Sequence, residues 1–128
     1  MRYIAYGSNM SVEQMAYRCP HAKIVGTAVL KDWRLVFRFH ADIEPCKGAE
    51  VPVLVWKISK SDEKRLDKYE GFPKYYVKKY LPEGMVYVIA DGYEYASPSE
   101  SYLNVLIESY KRFGFDLKIL ENALSFQG

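Results

Sequence analysis

The chain has 128 residues, enough for one domain around one core. Charged residues make up 27% of it and the formal net charge is +2, which excludes a disordered chain and supplies no electrostatic reason for a nucleic-acid or membrane partner. Aromatic residues reach 16%, twelve of them tyrosine. Tyrosine pairs an apolar body with a hydroxyl, so it suits a pocket that is both dry and hydrogen-bonding, although filling strands is its plainer use.

No apolar run approaches the roughly 20 residues of a membrane-spanning helix, and the N-terminus breaks at Gly7 without a signal-peptide pattern. Cys19 and Cys46 make no disulfide framework. Cys19 with His21 or His40 is a weak thiol–imidazole pair, because Pro20 fixes no hydrogen-bond geometry. The expectation is a soluble, cytoplasmic protein with no metal and no cofactor.

Residues 3–6 read as a strand, stopped by Gly7-Ser8-Asn9. Ser11 opens a helix with Gln14 at capping-box spacing, and Pro20 ends it. Three strand-like runs follow: 23–30, 33–39 with Trp33, Leu35, Phe37 and Phe39 on one face, and 50–58 beyond a loop around Pro45 and Gly48. Pro52 places the start of the third run at an edge or bulge.

A helix is predicted over 60–68, capped by Ser61, with Asp62 and Glu63 in its first turn. The basic residues around it, Lys60, Lys64, Arg65, Lys68, Lys74 and Lys78, are interrupted by acids and read as a solvated face. Strands at 75–81 and 85–95 flank a Pro82-Glu83-Gly84 turn. Residues 99–124 are helical in pattern, broken near Gly114, and 125–128 form a frayed tail beyond a single domain of 1–124. Phe126-Gln127-Gly128 resembles a cleaved protease site and carries no functional weight. The expected fold is α+β: a small mixed β-barrel of five to six strands with peripheral helices.

Two places could carry chemistry. Tyr6-Gly7-Ser8-Asn9 lies between a strand and a helix, where backbone N–H groups converge and suit a carboxylate or phosphate; small polar residues at such turns are also simply common. Glu70 precedes Gly71, a natural left-handed helix stop. At the negative end of a helix dipole and beside Tyr69, Phe72 or Tyr76, its pKa is pushed up, which a proton shuttle requires. A solvated helix-end glutamate is the plainer reading.

These motifs, with Met10 after Asn9, Arg18-Cys19-Pro20-His21-Ala22, Val55-Trp56, Leu66-Asp67-Lys68-Tyr69-Glu70-Gly71-Phe72-Pro73-Lys74-Tyr75-Tyr76 and Pro98-Ser99-Glu100-Ser101-Tyr102, resemble in order those of the γ-glutamylcyclotransferase family with its AIG2-like members. The resemblance covers nearly the whole chain. It implies a small mixed barrel and an enzyme that closes a γ-glutamyl group into 5-oxoproline and releases an amine or amino acid. It implies Glu70 as catalytic acid–base, the loop of Tyr6, Gly7, Ser8 and Asn9 around the glutamyl end, and Tyr76 and Tyr102 in the pocket wall. Whether Tyr75 or Tyr76 faces the site stays open from strand alternation alone. The amine released is also open, between a γ-glutamyl amino acid and a γ-glutamylamine. A γ-glutamyl-ligand or partner-binding domain of the same fold, without turnover, is the alternative. Three features depart from the family pattern and are expected on the leaving-group side: the bulky run from Val51, Lys78 in place of a frequent arginine, and Ser109 in place of a frequent glycine.

Overall fold

The computed structural model describes residues 1–126, and its largest feature is a hairpin of two long strands, β2 (Lys23–Arg38) and β3 (His40–Lys57). The runs at 23–30 and 33–39 are one strand because pairing with β3 continues across a bulge, where residues 46–49 stand opposite Asp32. The Asp32 Oδ1 accepts the Gly48 N–H at 2.9 Å, so the expected loop at Pro45 and Gly48 is absorbed into the ladder.

The short strand β1 (Arg2–Ala5) lies antiparallel to β3 and parallel to β5 (Gly84–Ile89), which pairs in turn with β4 (Tyr76–Leu81), giving the order β2-β3-β1-β5-β4. β1 registers only with residues 54–57 of β3, so Pro52 lies where that side of β3 has no β1 neighbour to receive an N–H. The sheet curls without closing. The buried Asp42 spans the curl: Oδ1 accepts the Ile89 N–H at 2.9 Å, and Oδ2 accepts Arg38 Nε at 2.9 Å. The start of β3 is thereby pinned to the end of β5. Residues 90–95, expected within the last strand, leave the sheet at the Asp91-Gly92 turn.

Four α-helices lie around this sheet among the described residues: α1 (Val12–Arg18), α2 (Lys60–Glu70), α3 (Glu100–Phe113) and α4 (Lys118–Ser125). None is long and apolar enough to cross a membrane. Ser11 caps α1 by accepting the Gln14 N–H, but the Gln14 side chain turns to Arg18 instead of completing the box. In α2 the cap is Ser59, not Ser61. Asp62 stands three residues beyond Ser59, so each side chain accepts the other's backbone N–H. The same helix continues past Lys68 to Glu70, stopped by Gly71 at φ 68°. Of the expected tail, Ser125 ends α4 and Phe126 caps it, with its ring centroid 3.7 Å from the Arg34 guanidinium; Gln127 and Gly128 lie outside the described residues.

The core joins these layers through Ile4, Met10, Met15, Leu54, Leu66, Met85, Leu106 and Tyr110, all fully buried. Leu66 anchors α2 in this core, which sets where its last residue falls. Replacing Ser59 by Ala should cost about 1 kcal/mol through loss of the cap. Urea unfolding should give a lower midpoint with an unchanged slope.

Candidate active site

A cavity of about 210 Å³ opens where β1, the 3-10 turn (Ser8–Met10), the β2–β3 tip, the end of α2 and the start of α3 converge. It is smaller than the several hundred Å³ of drug-sized sites, so it suits a compact ligand group. Its lining contains every residue that the family resemblance implies for the site: Tyr6, Gly7, Ser8, Asn9, Glu70, Tyr76 and Tyr102.

Asn9 is 2% exposed, and its carboxamide is bonded on both sides. Arg18 Nη1 donates to Asn9 Oδ1 at 2.6 Å. A guanidinium can only donate, so the amide nitrogen must face the other way. There it donates to Tyr3 Oη at 2.9 Å and to Glu70 Oε1 at 3.2 Å. The Asn9 carbonyl accepts the Trp56 indole N–H at 3.0 Å, which ties the turn to β3. Arg18 is held in place by Gln14 Oε1 at 2.8 Å and by the Tyr69 ring, whose centroid lies 3.6 Å from its Cζ.

Glu70 is the last residue of α2 and is partly buried in the cavity wall. Burial raises its pKa from 4.5 to about 7, opposed by the positive charge of Arg18. Asn9 occupies Oε1, while Oε2 has no hydrogen-bond partner among the described residues. The surrounding phenols do not titrate near neutrality: burial drives Tyr3, Tyr6, Tyr76 and Tyr102 upward. Burial lowers His40, which is therefore neutral at pH 7. Glu70 is thus the lining group poised to exchange a proton at physiological pH.

Of the three tyrosines expected at the site, two have hydroxyls committed to backbone carbonyls. Tyr6 donates to the Tyr87 carbonyl at 2.7 Å and Tyr76 to the Ala41 carbonyl at 2.9 Å. Tyr3 and Tyr102 each accept a bond, Tyr102 from the Ala41 N–H at 3.0 Å, and so each keeps a proton to donate. Gly7 lets the turn approach Tyr102 closely: a Cβ there would lie 3.0 Å from the Tyr102 hydroxyl and 3.4 Å from the Ala41 Cβ.

Strand alternation left Tyr75 and Tyr76 undecided; both rings reach the cavity, because Tyr75 precedes β4 in the segment after Gly71. The sequence reading missed Tyr3, His40, Ala41 and Tyr87 as lining residues. Of Tyr69, Phe72 and Tyr76, offered as the wall beside Glu70, Tyr69 and Tyr76 line the cavity and Phe72 does not. His40, weighed only as a partner for Cys19, instead pairs its Nδ1 with the Tyr75 hydroxyl at 2.8 Å. Cys19 is buried in the core with Sγ 3.8 Å from the Asp62 carbonyl, and burial pushes its thiol up. The three departures expected on the leaving-group side do not line the cavity. Lys78 binds Glu63 and Asp67 at 2.8 and 2.9 Å, Ser109 is buried in α3, and the run from Val51 fills the core.

Fold and cavity together define a small α+β protein with one neutral-poised carboxyl in a tyrosine-lined pocket. Residues 3–111 match the family model described as gamma-glutamyl cyclotransferase, AIG2-like, and the chain belongs to that family. It is 31% identical to the gamma-glutamylcyclotransferase of Homo sapiens over 93% of this chain and 74% of that protein. The enzyme of the same name from Mus musculus is 32% identical over 88% of this chain and 71% of its own length. A solved gamma-glutamyl cyclotransferase superposes with a TM-score of 0.81 at 30% identity, covering 98% of this chain and 87% of that one. YkqA of Bacillus subtilis shares the fold at a TM-score of 0.81 and 19% identity, covering 98% of this chain and 55% of that one.

Changing Gly7 to Ala should displace the Tyr102 hydroxyl and lower stability by about 1–3 kcal/mol if the Ala41 bond is lost. The cost should shrink in a Tyr102→Phe background, where no hydroxyl meets the added methyl. Thermal unfolding of the four proteins of this cycle checks it, and an equal cost in both backgrounds would refute the contact.

Proposed function

We propose that this protein is a γ-glutamylcyclotransferase in which Glu70 moves the protons of an intramolecular aminolysis. The observation that carries the reading is Glu70 itself: a carboxyl raised to about 7, bonded through one oxygen to Asn9, with the other free in the cavity beside the 3-10 turn. The family relationship supports the same reaction class.

The substrate is a γ-glutamyl amide. Its α-ammonium group has a pKa near roughly 8 and must lose a proton before its nitrogen can attack. Glu70 takes that proton, the α-nitrogen bonds to the γ-carbonyl carbon, and the amide C–N bond breaks. Glu70 passes its proton to the departing nitrogen. It then takes the second proton, which the attacking nitrogen sheds in becoming the lactam N–H, and hands that on in turn. The products are 5-oxoproline and the amine or amino acid, which leaves as its ammonium form. One carboxyl serves these transfers because a pKa near the working pH lets it take up and release a proton with similar ease.

The turn at residues 7–9 supports the binding half. The first N–H groups of a helical turn have no partner inside it, so the amides of Ser8 and Asn9 are suited to the α-carboxylate of the glutamyl group. The protons kept by the Tyr3 and Tyr102 hydroxyls are available to the oxygen on which charge develops. Tyr6 and Tyr76 shape the wall, their hydroxyls being spent on backbone carbonyls. Holding the flexible glutamyl chain in its cyclising conformer is worth several kcal/mol in well-oriented intramolecular reactions, roughly 7–11 at best. The free Cys19 and Cys46 accord with the cytoplasmic setting expected from the sequence.

Incubation with γ-glutamyl amides should release 5-oxoproline, and Glu70→Gln should reduce kcat by about 10²–10⁴-fold with ligand binding retained. Binding lost together with turnover would instead favour a binding role for Glu70. The rising limb of kcat/KM against pH should centre near 7, the raised value of Glu70, and vanish in the variant.

The same shift fixes a stability effect. Because the folded pKa lies above 4.5, the folded state favours the protonated carboxyl; the penalty is absent below about 4.5, grows as pH rises, and is complete above about 7. Glu70→Gln should therefore be more stable than the parent at pH 8, by up to about 3 kcal/mol, and the gap should close by pH 4.5. Chemical denaturation at the two pH values measures it.

A further inference from the structure

The β2–β3 hairpin turns on a single residue, Phe39, which holds φ at 71°. That left-handed conformation is costly for a bulky side chain, and glycine would adopt it freely. The ring gains little burial in return, since Phe39 is 54% exposed. The turn does not need the ring, because backbone bonds hold it: Phe39 N–H donates to the Ala96 carbonyl at 2.9 Å, and Ala96 N–H to the Phe37 carbonyl at 3.0 Å. A strained and exposed aromatic beside a cavity calls for a ligand-side reason.

The neighbours supply one. Phe39 meets His40 edge-on at 5.2 Å, His40 meets Tyr75 at 5.6 Å, and Tyr75 meets Tyr93 at 5.0 Å. His40 and Tyr75 line the cavity, whereas Phe39 and Tyr93, 45% exposed, continue the same row of rings outward. Tyr69, also a lining residue, is 49% exposed. No lysine or arginine lines the cavity among the described residues. Arg18, which stacks on Tyr69, is engaged by Asn9 and Gln14.

We infer that the row formed by Phe39, Tyr75 and Tyr93, with Tyr69, is the leaving-amine subsite, and that the amine it takes carries an aromatic side group. This rests on the cyclotransferase reading: the glutamyl end occupies the enclosed part by the 3-10 turn, so the group across the amide bond extends towards the exposed rings. Aryl groups gain edge-to-face contacts there, while a carboxylate on the amine finds no cation in the lining.

The test compares 5-oxoproline release from three γ-glutamyl amides, those of phenethylamine, propylamine and 1,4-diaminobutane, by the parent and by Phe39→Gly and Tyr93→Ala. The parent should favour the phenethylamide over the propylamide by about tenfold in kcat/KM. Each variant should lower that ratio about three- to tenfold, the size of one aromatic contact. Phe39→Gly should do so without a lower melting temperature, since glycine relaxes the turn. Equal rates for the phenethyl and propyl amides, a preference for the diaminobutane amide, or ratios unmoved by both variants would each overturn the aromatic subsite while leaving the cyclotransferase reading in place. No 5-oxoproline from any amide would sink the reaction and the subsite together.

Discussion

Asn9 joins four elements that the chain delivers separately, three through its carboxamide and one through its backbone carbonyl. Its side-chain oxygen takes Arg18 from the end of α1, and its side-chain nitrogen reaches Tyr3 on β1 and Glu70 at the end of α2. Its backbone carbonyl takes Trp56 on β3. An amide has both a donor and an acceptor end, so it can bridge a cation and a carboxyl with opposite faces. Aspartate could serve Arg18 but would repel an ionised Glu70. An apolar side chain would leave Arg18 and Tyr3 without their buried partner, at the cost of an unmade hydrogen bond for each. The position of the carboxyl relative to the 3-10 turn therefore depends on this one side chain.

The raised pKa of Glu70 follows from how α2 is anchored. The Ser59–Asp62 capping box fixes its start, Leu66 packs it into the core, and Gly71 stops it one residue after the glutamate. The helix thus ends inside the cavity wall, with its carbonyl-rich end facing a carboxyl. Burial dominates the shift and the charge of Arg18 moderates it. The Asn9 and Tyr69 contacts hold that charge against neighbours other than the carboxylate, so Arg18 tempers Glu70 without forming an ion pair with it. A direct ion pair would pull the carboxyl towards its ordinary range or below it.

Local signals made part of this legible in the sequence. The Tyr6–Asn9 segment and the Glu70-Gly71 pair announce themselves because turn chemistry and helix termination act over a few residues. The mixed α+β sheet was readable from five or six strand-like runs that do not alternate with helices. The hairpin was not. Its two strands run in register from Lys23↔Lys57 to Arg38↔His40, and pairing across the four-residue bulge at 46–49 converts an apparent loop into strand. That pairing is a tertiary choice, and it is what carries His40 and Ala41 to the cavity. Ser61 is the expected cap of α2, but Asp62 stands three residues beyond Ser59 and closes a reciprocal box there, so Ser59 takes the role. Tyr75 escaped the two-way alternation argument because it stands ahead of β4, where the rule does not hold.

The composition of the cavity is consistent with a reaction whose nucleophile arrives with the substrate. An enzyme that supplies its own nucleophile needs an activating base beside it, and Cys19 is buried with its thiol pushed up. Intramolecular attack asks instead for shape, a fixed oxyanion contact and one proton carrier. Tyrosines suit the first two demands. Their rings exclude water, and hydroxyls whose pKa is driven up by burial stay protonated as donors across the range in which Glu70 changes charge. The high tyrosine content and the solitary tuned carboxyl are then two sides of one electrostatic arrangement: the same desolvation that fixes the phenols in their neutral form brings the carboxyl to the point where it can take up a proton and release it.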